Sequence, residues 1–174
     1  MFRSCQNNNI TTNCINIDSP IGYVDADHVR DIDSRRSVTG YIFLLANGPV
    51  SWSSKQQASV ALSSMEAEYM AASAACQEAV WLDRVLQELG NTNTDTITLY
   101  EDNKSCIQFT KNNNVHKRSK HIDQRYHYIR ELVANNKVKL EYVPTDQNIA
   151  DLFTKPLSSE RFILLRNKFM VNLI

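Results

Sequence analysis

Three runs with strand character, "IGYVDAD" (21–27), "VTGYIFLLA" (38–46) and "VSWSSK" (50–55), stand close together ahead of one long helical pattern over residues 64–89. Their short connections, among them the turn "NGP", favour antiparallel pairing of neighbours. Gly90 closes the helix as a C-cap. Beyond it the signals alternate: a strand in "TITLYED" (96–102), a short helix from about Lys104 to Lys111, and an amphipathic helix in "IDQRYHYIRELVANN" (122–136), which sets Ile122, Tyr126, Ile129 and Val133 at helical spacing. The strand "VKLEYV" (138–143) ends at Pro144, a further helix starts in "NIADLFTK" and is cut at Pro156, and "SERFILLRNKFMVNLI" reads as a terminal amphipathic helix. No internal repeat is visible.

This order predicts an α/β fold: a five-stranded mixed sheet, an antiparallel meander continued by parallel strands, with helices on both faces. Residues 1–19, rich in Asn, Thr and Cys and without periodicity, are predicted to be a poorly ordered leader. The domain is placed at 20–157 and the C-terminal helix at 158–174.

Nineteen basic and nineteen acidic residues cancel, so polyanion binding has to come from a local patch. The longest apolar run, "YIFLLA", is far short of a membrane span, and "MFRSCQNNN" lacks a signal-peptide core. The expectation is an intracellular protein, cytoplasmic or nuclear, with no membrane partner. Cys5, Cys14, Cys76 and Cys106 form no C-x-x-C pair and read as reduced structural thiols; His116, His121 and His127 are poorly spaced for zinc. Four glycines provide no phosphate-cradling loop and no G-x-S-x-G elbow.

The start of the long helix, "LSSMEAEYMAASAAC", carries two glutamates that point about 200° apart. Glu68 shares its side with Ala71, Ala72, Ala75, Ala79, Leu82, Leu86 and Leu89, the apolar stripe. Glu66 lies opposite and reads as a surface carboxylate. A lone ionised carboxylate on a buried stripe is unfavourable unless compensated, so Glu68 either sits partly exposed at the helix start, helped by the macrodipole, or belongs to a site.

Ligands of open α/β sheets gather at the carboxyl ends of strands. Asp25 lies in the first strand, Asp102 ends "TITLYED", and Asp151 follows the last strand by a short loop. Adjacent parallel strands would bring these three together with Glu68 leaning in from the helix. Asp27 has the same parity as Asp25, and Asp25 is deeper in the apolar run. Taken singly, Asp102 and Asp151 also read as helix caps and Asp25 as an edge charge. Taken together, four carboxylates in one place demand cations, and hard oxygen ligands select Mg2+ or Mn2+.

The segments "GYVDADHVRD", "RRSVTGYIFLLANGPVSWSSKQQ", "ALSSMEAEYMA", "LYEDNKS", "KHIDQRYHYIRE" and "EYVPTDQNIADLFTKPL" together resemble the ribonuclease H domain of copia-type retrotransposon Pol polyproteins, in order and from about Gly22 to Leu157. The resemblance implies a ribonuclease H-like fold and an endonuclease that cuts the RNA strand of RNA/DNA hybrids during reverse transcription. By that resemblance the family's acids match Asp25 in its "DAD" strand, Glu68 in "EAEY", Asp102 in "EDN" and Asp151 in its "ADxxTKPL" segment. It also implies an upstream reverse transcriptase region or other polyprotein parts as partners, although no Y-x-D-D polymerase motif occurs in these residues. Cellular ribonucleases H place a histidine before the last aspartate; "EYVPTDQNIAD" has none.

The mechanism expected on this basis uses two Mg2+ ions, with Mn2+ as substitute. Asp25 bridges them, Glu68 and Asp102 serve the leaving-group side, and Asp151 holds the ion that activates water. Ser63, Ser64 and Asn103 flank the acids and are candidates for reading 2′-hydroxyls. Lys111, Lys117, Arg118 and Lys120 form the clearest basic run, a phosphate-binding candidate or a solvated loop, with Arg35 and Arg36 as a weaker patch. Trp52 and Trp81 are expected in the core. Two other readings remain open: a catalytically inactive nucleic-acid-binding remnant, and an integrase or transposase-like core.

Overall fold

The computed structural model describes residues 3–7, 10–14, 18–28, 33–91, 95–111 and 120–170, with backbone alone for 3–7, 10–14 and 120–126. Within the stretch expected to be a leader, β1 (Arg3–Asn7) and β2 (Ile10–Cys14) pair antiparallel as a separate hairpin. The main sheet contains β3 (Ile21–Asp27), β4 (Val38–Leu45), β5 (Gly48–Gln56), β6 (Ile97–Glu101) and β7 (Val138–Tyr142), in the order β5-β4-β3-β6-β7. β3, β4 and β5 form the antiparallel meander, and β6 and β7 continue from β3 in parallel, as the element order predicts.

One face of the sheet is covered by α1 (Ser64–Glu88), with α2 (Lys104–Lys111) and α3 (Lys120–Ala134) packed alongside. Val24, Phe43, Leu99 and Leu140 from the strands meet Ala71, Ala75 and Ala79 of α1 there; small side chains let the helix come close. The other face is covered by a 3-10 segment, Ile149–Phe153, and by α4 (Ser159–Arg166), around Ile42, Ile149 and Leu165. Among the described residues no helix is long and apolar enough to cross a membrane.

α1 ends as expected: Gly90 has φ +86°, its N–H donates to the Gln87 carbonyl and that of Asn91 to the Leu86 carbonyl, a Schellman closure. Its beginning differs from the wheel. Glu66 is only 7% exposed and acts as a capping residue: the Ser63 hydroxyl accepts the Glu66 N–H at 3.2 Å, and Glu66 Oε2 accepts the Leu62 N–H at 2.9 Å. A helix start buried on most of its circumference has no solvated side for Glu66 to occupy.

Two elements near the C-terminus also differ. "NIADLF" forms a 3-10 turn rather than an α-helix, held at its start by Asn148, whose side-chain oxygen accepts the Ala150 N–H while its amide donates to the Val24 carbonyl. α4 stops at Arg166 instead of running to the end, and residues 171–174 lie outside the described residues. Trp52 and Trp81 are 60% and 55% exposed, not core. β5 is an edge strand, and Trp81 lies on the side of α1 turned from the sheet.

Candidate active site

The acids converge because three elements end at one place. β3 and β6 run parallel and side by side, which carries Asp25 and the residue after β6, Asp102, to the same edge. The first turns of α1 cross there and deliver Glu68. One carboxylate oxygen from each of Asp25, Glu68 and Asp102 lies within 4.8 Å of the others. Asp25 is fully buried and Glu68 is 7% exposed, whereas Asp102 is half-buried, so the group opens on Asp102's side. Asp27, of the same parity, is less buried and lies outside this trio.

Asp151 is buried beside the trio but holds different partners. Lys155 Nζ donates to Asp151 Oδ1 at 2.8 Å and to Asp25 Oδ1 at 3.0 Å, and Arg161 Nη2 donates to Asp151 Oδ2 at 2.5 Å. The Thr154 hydroxyl donates to Asp25 Oδ2. Thus both oxygens of Asp151 are taken by cations, whereas Glu68 Oε2 finds no hydrogen-bond partner among the described residues.

A fifth acid, Glu101, lies fully buried behind the trio, with Oε1 accepting the Asn103 N–H at 3.1 Å and Oε2 without a partner. Strand alternation puts it on the same face as Ile97 and Leu99, the face that α1 covers. Its nearness to Glu68 is not legible in the sequence.

The electrostatics follow from this crowding. Burial raises the Asp25 carboxyl to about 6, against the pull of Lys155 and Thr154, with Asp151 adding to the rise. Burial, then Glu101, Asp25 and Asp102, push Glu68 well up, and burial does the same to Glu101. Burial disfavours the Lys155 ammonium, yet Asp25 and Asp151 outweigh it and raise its pKa. A cluster of hard carboxylate oxygens, one buried and unpaired, suits a divalent cation.

The other sequence candidates are placed less directly. Ser63 is the N-cap of α1 and Asn103 Oδ1 accepts the Cys106 N–H at 3.0 Å, so both oxygens hold helix starts beside the acids. Ser64 is exposed. Lys117, Arg118 and the side chain of Lys120 lie outside the described residues; Lys111, Arg35 and Arg36 are exposed. Sequence reasoning missed Thr154, Lys155 and Arg161. The only signal for the first two was their place in "ADLFTKPL".

No protein-family model matches the chain. It is 45% identical over 155 residues to the retrovirus-related Pol polyprotein from transposon TNT 1-94 of Nicotiana tabacum, covering 88% of this chain and 12% of that protein. To the retrovirus-related Pol polyprotein from transposon RE1 of Arabidopsis thaliana it is 40% identical over 140 residues, covering 80% of this chain and 10% of that protein. The chain spans about a tenth of the length of the curated relatives it matches. Among solved structures, RNase H1 from the halophilic archaeon Halobacterium salinarum superposes with a TM-score of 0.56 at 17% identity, over 78% of this chain and 93% of that one. LC11-RNase H1 in complex with RNA/DNA hybrid gives 0.54 at 16% identity with the same coverage, so the likeness to both is one of fold.

Proposed function

Because the chain is homologous to retrovirus-related Pol polyproteins of copia-type transposons and has the ribonuclease H fold, we propose that it is a metal-dependent endonuclease hydrolysing the RNA strand of RNA/DNA hybrids in reverse transcription of such an element. The observation that carries this reading is the trio Asp25, Glu68 and Asp102, with carboxylate oxygens within 4.8 Å of one another and Glu68 buried with an unpaired oxygen. Oxygen ligands of this kind hold Mg2+, with Mn2+ as substitute. A bound divalent cation supplies a water of lowered pKa and charge stabilisation for the departing alkoxide.

The chain's own residues do the rest. Asp25, Glu68 and Asp102 hold the cation, and the half-buried position of Asp102 puts the opening toward a phosphodiester. Glu101 lies buried next to the trio, and burial raises its carboxyl well above the ordinary carboxylate range. Ser64 and Asn103 stand beside the acids at the starts of α1 and α2, placed to meet 2′-hydroxyls of an RNA strand. The basic run through Lys117, Arg118 and Lys120 supplies phosphate contacts and makes affinity fall with salt. An upstream reverse transcriptase region is the natural partner for delivering the hybrid, in the cytoplasm or nucleus.

Purified protein incubated with Mg2+ or Mn2+ and a hybrid labelled on its RNA strand, beside duplex DNA, tests the proposal. Cleavage of RNA alone, lost in Glu68→Gln, supports it. Binding without cutting points to an inactive remnant, and processing of DNA to an integrase-like core.

A further inference from the structure

Lys155 is fixed at both ends. Its backbone N–H donates to the Asp151 carbonyl at 3.0 Å, and its ammonium spans Asp151 Oδ1 at 2.8 Å and Asp25 Oδ1 at 3.0 Å. The second oxygen of Asp151 is held by Arg161, and the second oxygen of Asp25 by Thr154. Three donor groups, making four hydrogen bonds, therefore meet the two carboxylates. Glu68 and Asp102 gather at Asp25 as well, and Glu68 Oε2 finds no hydrogen-bond partner among the described residues. The carboxylates thus differ in character: Asp25 and Asp151 are held by the chain's own donors, whereas Glu68 keeps a buried oxygen without one.

We propose that Lys155 is a built-in cation for the Asp25–Asp151 pair, so that the site takes a single divalent ion on Asp25, Glu68 and Asp102, while Asp151 positions Lys155 instead of ligating metal. This rests on the reading that the trio holds a divalent ion. A second ion bound between Asp25 and Asp151 would have to displace an ammonium in contact with both, and would meet the Arg161 charge behind it. Removing the Lys155 charge opens that part of the site. Lys155 is a positioning residue here: it orients Asp25 and balances charge.

The test is the number of Mn2+ ions bound per chain, counted from the loss of the free Mn2+ paramagnetic signal and by calorimetric titration, with thermal melts to verify folding. The wild type and Lys155→Arg, which keeps the charge, are expected to bind one ion; Lys155→Met is expected to bind two. Two ions in the wild type overturn the proposal whether or not Lys155→Met folds, and one ion in a folded Lys155→Met does the same. Glu68→Gln separates the two levels. Loss of the ion in that variant alongside an unchanged count in Lys155→Met overturns only the role of Lys155, whereas an ion retained in Glu68→Gln overturns the reading of the trio and the proposal with it.

Discussion

Gly40 faces Thr154 with no room for a side chain between them: a Cβ on Gly40 would lie 2.5 Å from the Thr154 methyl and 3.0 Å from Phe153 Cβ. Gly40 also pairs with Asp25 across the β3–β4 ladder, so its bare backbone lets the segment carrying Thr154 and Lys155 come down onto Asp25. Gly40→Ala is expected to destabilise the protein by about 1–3 kcal/mol through overpacking. It should also lower cleavage by pushing those donors off Asp25. Gly48→Ala, where the nearest atom is 3.7 Å away, is the control and should change stability little. Equal losses in denaturant melts of the two variants would contradict this account.

Glu66 and Glu68, two residues apart, are expected to separate completely in their effects. Glu66→Ala removes a cap and should lower stability by about 1 kcal/mol while leaving cleavage intact. Glu68→Gln should reduce cleavage by about a hundred-fold or more. Gln needs no proton to stay neutral in that buried place, so at neutral pH the ion-free protein should melt higher than the wild type and gain less from added Mg2+. Calorimetric scans with chelator and with Mg2+, beside the cleavage assay, check both.

Much of this was legible in the sequence. Strand runs and the long helix carry their own periodicity, and Asp25, Glu68 and Asp102 stand at element ends that parallel pairing must bring together. What could not be read was the filling of the site. Glu66 was placed in solvent because a wheel describes one helix and not what surrounds its first turn. Lys155 and Thr154 sit after a 3-10 turn between Pro144 and Pro156, where neither helical nor strand spacing assigns a direction. Their partner, Asp25, is 130 residues from Lys155 in the chain. Such contacts are set by tertiary packing alone.

Stability should depend on pH in an unusual direction while no ion is bound. Asp25 is raised to about 6 and Glu68 and Glu101 are raised as well, so between their unfolded and folded values the native state binds more protons than the unfolded chain. This stabilisation is fully present below about pH 4 and lost as pH rises through the folded values; the Asp25 share is on the order of 3 kcal/mol. With chelator present, the melting temperature is expected to be several degrees higher at pH 5 than at pH 8. Added Mg2+ should reduce or reverse the difference, because the ion binds the deprotonated acids. A melting temperature that rises steadily with pH in chelator would contradict the burial of these carboxyls.

Asn148 ties the turn to the sheet: its amide donates to the Val24 carbonyl at 2.9 Å and its oxygen accepts the Ala150 N–H at 3.1 Å, with the side chain fully buried. Asn148→Ala leaves both backbone groups without these partners and is expected to lower stability by about 2 kcal/mol. Cleavage should fall further than the loss of folded protein explains, since the turn carries Thr154 and Lys155 onto Asp25. Activity per folded molecule, measured well below the melting temperature, makes that comparison.

The central claim is that Asp25, Glu68 and Asp102 form a divalent-cation site, and anomalous scattering from crystals soaked in Mn2+ tests it most directly. The account predicts a peak at about 2.2 Å from carboxylate oxygens of all three residues, with the Lys155 ammonium still between Asp25 and Asp151. Saturating Mn2+ that leaves no peak among the three, or places it only elsewhere on the protein, would contradict it.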